Sequence, residues 1–347
     1  MNISLHHIKK ILCIKPRGIG DIVLSTIVLD NLIAYFPSVQ VDYLTEDFAE
    51  SAVKNNPLVN KVLTMGRNEF SLKTAFRIRK EKYDLILDLW SNPRSALITF
   101  FSGAMYRTGF AYRGRKYAYN ILASDDRGSH HSAEHNLELL KILKIPIISK
   151  RIYYFTSDKE DNFGKSFIEE NIPSDHSIIG IVPSGGWPSK RCDAVKWVEI
   201  CKTISSVYKT KYLILWGPGD EKDANYIARN FPEETVLAPK TDLITMAGLI
   251  NNCDLVIAND SGPMHISAAL GIPTLGLFGP TNPKMHGPYS ELSDYVNKED
   301  LFCILCNHTV CPYKHECFKE LPVDRVMIKI NQLILKSHIK VAKHESN

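Results

Sequence analysis

A chain of 347 residues, 44% of them hydrophobic and 23% charged, has the makeup of a folded globular protein rather than a disordered or fibrous one. Its length suits two domains of roughly 150 residues each. A formal net charge of +4 is too mild for a dedicated nucleic-acid binder. No apolar run reaches the roughly 18–20 residues needed to cross a bilayer. The stretch Ile11-Leu12-Cys13-Ile14 behind Lys9 and Lys10 is too short for a signal peptide, so a cytoplasmic location is expected.

Short apolar runs alternate with amphipathic stretches, the pattern of βαβ units around a parallel sheet. In the first half the spacing predicts strands over 11–15, 39–44, 61–64 and 83–89, and helices over 21–36, 46–55 and 70–81. The first helix places Ile22, Val23, Ile27, Leu29, Ile33 and Phe36 on one broad apolar face and ends at Pro37. Residues 89–124 contain no acid but carry Arg94, Arg107, Arg113, Arg115 and Lys116 among Phe100, Phe101, Tyr106, Phe110 and Tyr112. That mixture is either a solvated surface with some buried rings or a surface for a phosphorylated, membrane-anchored saccharide. Residues 157–176, with Pro173, read as a linker. The second half repeats the theme, with strands over 177–182, 212–216, 235–237, 255–258 and 274–278 and helices over 193–208, 220–230, 242–251 and 262–270. An amphipathic helix over 323–340 and a polar tail close the chain. Two doubly wound halves imply a central cleft facing the carboxyl ends of the strands, and the loops there must carry the function.

Lys15-Pro16-Arg17-Gly18-Ile19-Gly20-Asp21 is the first such loop, running from a strand into a helix. Gly18 and Gly20 let the backbone approach a ligand beside free helix N–H groups. The third glycine of a dinucleotide fingerprint is replaced by Val23, and Asp42 lies inside the second strand instead of an acid ending it, which disfavours a nicotinamide enzyme. Asp21 either complements the helix dipole or offers a carboxylate that takes a proton from an attacking hydroxyl. The loop Pro183 to Arg191 is either a solvated turn or a diphosphate grip, with the Ser184 hydroxyl and backbone N–H on oxygens and Lys190 or Arg191 offsetting charge. In Trp216-Gly217-Pro218-Gly219-Asp220-Glu221 the acids either cap a helix or, through Glu221, accept from ribose hydroxyls. Asn259-Asp260-Ser261-Gly262-Pro263-Met264-His265 follows a buried strand and opens a helix with proline in its first turn; Ser261 and Gly262 present N–H groups to phosphate, flanked by Asp260 and His265.

Taken in order and spacing, Gly20-Asp21-Ile22-Val23-Leu24-Ser25-Thr26, the Lys190 loop, Trp216-Gly217 with Glu221, and Asn259 to His265 followed by Phe278-Gly279-Pro280-Thr281 resemble the bacterial ADP-heptose:lipopolysaccharide heptosyltransferases, glycosyltransferase family 9. The match covers roughly residues 8–330. The resemblance implies an α/β GT-B fold of two Rossmann-like doubly wound domains facing a central cleft. An N-terminal domain, 1–165, would hold the acceptor and a C-terminal domain, 175–320, the ADP-sugar, with helix 323–340 packing back on the first. It implies inverting transfer of heptose onto the lipopolysaccharide inner core, of the Kdo-lipid A type, with no cofactor or metal in the chemistry. Carried over, Asp21 is the general base, Lys190 contacts the donor diphosphate, Glu221 matches the ribose acid, Asp260 holds the heptose, and Ser261, Gly262 and His265 surround the phosphates. Met246 would touch the adenine or serve as ordinary core. An inner-membrane acceptor implies peripheral contact with that membrane's inner face. Rival readings are a heptosyltransferase acting on protein, a GT-B sugar-nucleotide epimerase and a non-catalytic nucleotide-sugar binding module.

Of eight cysteines, Cys13, Cys192, Cys201 and Cys253 are scattered and read as small core residues, whereas Cys303, Cys306, Cys311 and Cys317 cluster around His308 and His315. In a reducing compartment such a cluster reads as reduced thiols or as a structural zinc or iron site, and cysteine-ligated iron in related protein heptosyltransferases extends the second reading by resemblance.

Overall fold

Ile11, Leu12, Cys13 and Ile14 are all fully buried, as a parallel strand covered on both faces requires, and they form β1 (Lys10–Ile14). The computed structural model describes residues 7–126, 128 and 130–343, and the chain divides into two units, Met1–Phe155 and Thr156–Asn347.

In the first unit β1 is followed by α1 (Ile19–Ser25), α2 (Leu29–Tyr35), β2 (Gln40–Glu46), β3 (Lys61–Met65), α3 (Ser71–Glu81), β4 (Leu85–Asp88), α4 (Pro93–Phe101), β5 (Tyr106–Phe110), β6 (Ile121–Ala123) and α5 (Ser132–Ile142). The strands are parallel in the order β3-β2-β1-β4-β5-β6. The order reverses at β1, so the loop leaving its carboxyl end, with Gly18 and Asp21, occupies the switch point where such sheets bind ligands.

The second unit contains α6 (Asp158–Asn171), β7 (Ser177–Val182), α7 (Ala194–Ser205), β8 (Thr210–Ile214), α8 (Glu221–Asn230), β9 (Thr235–Leu237), α9 (Leu243–Ile250), β10 (Leu255–Asn259), α10 (Gly262–Ala269), β11 (Thr274–Phe278), α11 (Pro283–His286), β12 (Ser293–Asn297), α12 (Glu316–Lys319) and α13 (Val323–Ser337). Its sheet runs β12-β11-β10-β7-β8-β9, the same winding as the first. The switch point lies between β7 and β10, whose outgoing loops carry Ser184–Lys190 and Asp260–His265. Trp197, Tyr212, Ile257 and Leu277 centre its core.

Several expectations need correction. The helix predicted over 21–36 is broken by a 3-10 turn at Thr26–Val28. The Ser25 and Thr26 hydroxyls bond back to the carbonyls of Ile22 and Val23, competing with the helical ladder. Strand β2 extends beyond 44, so an acid, Glu46, does end it; that acid is occupied by two arginines, as described below. Residues 46–55 form no α-helix but a 3-10 segment, Asp47–Ala52. The stretch 89–124 holds α4, β5 and β6, hidden because α4 has no polar face to set a period. The supposed linker is mostly α6, packed on α9. Its buried face is read poorly because Gly164 is its one fully buried residue. Helix α13 contributes its apolar face to the second unit. Val326, Ile330 and Leu333 are buried in the second unit's own core, beside α7 and β12.

The α6–α9 crossing is backbone on backbone. A Cβ on Gly164 would lie 2.1 Å from the Gly248 carbonyl oxygen, and one on Gly248 would lie 2.2 Å from that of Glu160. Alanine normally gains up to about 1 kcal/mol over glycine inside a helix. The clash outweighs that gain. Gly164→Ala is expected to destabilise the protein by about 1–3 kcal/mol in urea denaturation. A midpoint equal to or above the parent's would refute the crossing.

Candidate active site

Gly18 precedes α1 with φ +81°, a conformation that favours glycine, and a Cβ there would come within 2.3 Å of Asp21 Oδ2. The loop is therefore shaped around the Asp21 carboxylate, half-buried in the first turn of α1. Beside it at the same strand ends lies a buried acid that sequence reading missed. Glu46 Oε1 accepts from Arg17 Nη2 at 2.7 Å and from Arg94 Nη1 at 3.0 Å. Arg94 also donates to the carbonyls of Gly66, Arg67 and Glu69. Lys15 Nζ donates to the Leu89 carbonyl and lies over the Trp90 ring. The ends of β1, β2 and β4 are thus tied together by cations; Glu46 meets both arginines through Oε1, while its buried Oε2 has no hydrogen-bond partner among the described residues.

In the second unit two of the sequence-predicted residues, Lys190 and Asp260, meet. Lys190 ends a 3-10 turn, Pro188–Lys190, and its ammonium lies 2.7 Å from Asp260 Oδ2 and 4.3 Å from the Trp187 ring centroid. Thr281 Oγ1 donates to the same Asp260 oxygen at 2.6 Å. Asn259 links the two switch-point loops, accepting from Cys192 N and donating to the Pro183 carbonyl. Ser261 is the N-cap of α10, yet its side chain makes no capping bond. Its Oγ is buried and has no hydrogen-bond partner among the described residues, an unmet demand a bound polar group would satisfy. Gly262 begins α10 and His265 is buried within it.

A second carboxylate holds the neighbouring loops. Asp220 was read as a helix cap; it makes no capping bond to α8. Instead Oδ2 accepts from Ser184 Oγ at 2.6 Å and Gly217 N at 3.3 Å, while Arg191 Nη2 lies 3.0 Å from Oδ1. Arg191 also donates to the carbonyls of Gly185 and Gly219. Asp220 and Arg191 thus pin the loops after β7 and β8. The only signal in the sequence was an acid one place before Glu221. Glu221 itself is exposed at the start of α8, and Met246 is buried in α9.

The cysteine-rich segment supports this arrangement by its backbone. Ser189 donates to the carbonyls of His308 and Thr309, and His315 Nε2 lies 3.0 Å from the Ser189 carbonyl. Leu305 N and Asn307 N donate to the carbonyls of Gly279 and Pro280, next to Thr281. Cys303, Cys306, Cys311 and Cys317 are partly exposed free thiols. Burial pushes the Cys317 thiol up to about 12, with the neighbouring cysteines adding to the rise. Among the described residues no group of three or more His, Cys, Asp or Glu side chains is placed to hold a metal ion, so of the two readings of these cysteines the structural zinc or iron site has no support.

Comparison with known proteins agrees with these features. The sequence profile of glycosyltransferase family 9 (heptosyltransferase) matches residues 71–316. Lipooligosaccharide heptosyltransferase 2 of Haemophilus influenzae is 25% identical over 94% of this chain and 99% of its own length. Lipopolysaccharide heptosyltransferase 2 of Escherichia coli K12 is 23% identical over 94% of this chain and 99% of its own. Among solved structures, a glycosyl transferase family 9 protein from Veillonella parvula superposes with a TM-score of 0.84 at 20% identity, covering 96% of this chain and 99% of its own. The E. coli ADP-heptose lps heptosyltransferase II superposes with a TM-score of 0.77 at 23% identity, covering 95% of this chain and all of its own. The parts are those of the GT-B fold, and the enzyme is a glycosyltransferase. With two six-stranded Rossmann-like sheets of the same winding, the chain belongs to glycosyltransferase family 9, the heptosyltransferases.

Proposed function

We propose that this glycosyltransferase transfers heptose from ADP-heptose to a hydroxyl of the lipopolysaccharide inner core, with inversion and without a metal ion in the chemical step. The protein would work in the cytoplasm, at the inner face of the inner membrane. The observation that carries the reading is the Lys190–Asp260–Thr281 cluster beside a helix tip whose Ser261 hydroxyl is unmet. The relatives' names support the substrate classes, being those of heptosyltransferases on lipooligosaccharide and lipopolysaccharide. No helix of the described residues is long and apolar enough to cross a membrane.

In this reading the acceptor oxygen attacks the anomeric carbon while the bond from that carbon to the diphosphate breaks and ADP departs. Asp21 takes the proton of the attacking hydroxyl. Negative charge grows on the leaving diphosphate, and Lys190 with the N–H groups of Ser261 and Gly262 offsets it, which is the task a metal ion performs in other sites. Asp260, held through Oδ2, would accept from heptose hydroxyls through Oδ1. Glu221 would take the ribose, Met246 would border the adenine, and Gly18, Gly20, Ser184 and His265 would shape the approach to the ligands.

Asp21→Asn is expected to lower turnover by about 10²–10⁴-fold with donor affinity little changed, read as acceptor-dependent ADP release beside calorimetric titration of ADP-heptose. Turnover equal to the parent's would remove Asp21 from the mechanism. ADP release should survive excess EDTA, and its loss with recovery on added metal would end the metal-free account. ADP release that needs no acceptor, or none from any nucleotide sugar, would favour the epimerase or the binding module. Asp220→Ala strands Arg191 and Ser184. It is expected to cost about 3 kcal/mol of stability and to raise the donor KM more than it lowers kcat. A variant with unchanged stability and KM would show that Asp220 does not organise these loops.

A further inference from the structure

Helix α4 contradicts the usual design of a surface helix, which turns a polar face to water. Its inward residues Ala96, Ile98 and Thr99 are buried, but its outward residues Leu97, Phe100 and Phe101 are exposed and apolar too. Its single charge, Arg94, turns away to Glu46 and nearby carbonyls. Phe100 extends the apolar surface to Tyr117, with ring centroids 5.5 Å apart. Met105, just beyond the helix, is 69% exposed and Tyr117 is 50% exposed. Such a surface faces an apolar medium or a partner.

The neighbouring helix decides which. Helix α3 packs alongside α4, and its outward stripe sets Phe76, 59% exposed, among Lys73, Arg77 and Lys80, with Phe70 exposed at its start. Lys116 adjoins Tyr117, and α4 contains no acid. The acids on α3 and just before it are engaged, Glu81 by Lys10 and Lys61 and Glu69 by Arg77 and Thr74. A second copy of this face would oppose lysine to lysine. An anionic lipid surface would match the cations and accept the aromatic rings at the headgroup boundary.

We propose that the outer face of α3 and α4, with Met105 and Tyr117, docks the enzyme on an anionic bilayer, apolar side chains entering the headgroup boundary and Lys73, Lys80 and Lys116 meeting lipid phosphates. This rests on the reading of the acceptor as a membrane lipid and names the surface that brings the enzyme to it.

The test is co-sedimentation of the full chain with phosphatidylethanolamine vesicles containing phosphatidylglycerol, against vesicles of phosphatidylcholine. The protein is expected to pellet with the anionic vesicles and to be released by salt. Leu97→Ser with Met105→Ser, and separately Lys73→Gln with Lys80→Gln, should each weaken partition by about tenfold or more. The lysine pair is exposed, so it tests the proposal even if the apolar pair fails to fold. Both variants should release ADP at the parent's rate with a lipid-free, water-soluble core saccharide. Parent protein that does not distinguish the vesicles, or variants that bind like the parent, would overturn the proposal. So would a parent dimer that Leu97→Ser with Met105→Ser dissociates, without vesicle binding. A parent inactive on the saccharide yet bound to anionic vesicles would instead overturn the functional reading and leave the docking face standing.

Discussion

Acids buried at the carboxyl ends of strands, each bonded to a cation from another loop, are the constraint on which the rest of this protein depends. A carboxylate removed from water is costly unless it is paired and hydrogen-bonded, so each one dictates where its partners must lie. Glu46 draws Arg17 and Arg94 onto the ends of β2, β1 and α4. Asp260 fixes Lys190 and Thr281, and Asp220 fixes Arg191, Ser184 and Gly217. Loops that sheet pairing alone would leave free are thereby set before any ligand arrives.

This has consequences for the proposed chemistry. A group that must offset charge on a departing diphosphate acts best when its orientation is already set, because no reorganisation remains at the moment of reaction. Lys190 meets that condition through two contacts, the Asp260 carboxylate and the Trp187 ring. The cysteine-rich segment adds a further layer. Its backbone accepts from Ser189 and donates to Gly279 and Pro280, so it supports both loops that hold the Asp260 cluster. Its conspicuous cysteines left a structural metal open as one reading, but the hydrogen bonds that connect it to the site come from its backbone and from His315.

Much of the fold was legible because buried parallel strands are continuous apolar runs, and 177–182, 255–258 and 274–278 could be found within a residue of their observed ends. What escaped has specific causes. The period of the first helix is unbroken in sequence, yet the Ser25 and Thr26 hydroxyls interrupt it through local bonds. α4 was missed because it is apolar on both faces, and α6 because it packs through glycine rather than a stripe of large side chains. α13 showed its amphipathic face plainly, but such a face does not name the core that covers it; here that core contains Trp197 and Phe318.

The sequence by itself determined the alternation of strands and helices, the positions of Gly18, Asp21, Lys190 and Asp260 at strand ends, and the resemblance to the heptosyltransferases, because these depend on residue type and local spacing. Only the tertiary structure decided which charges meet. Lys190 and Asp260 are 70 positions apart, and Arg17 and Arg94 reach one acid from either side of it in sequence. Such pairings arise from the winding of the sheet, which brings the ends of remote strands together, and no local pattern of residues encodes that proximity.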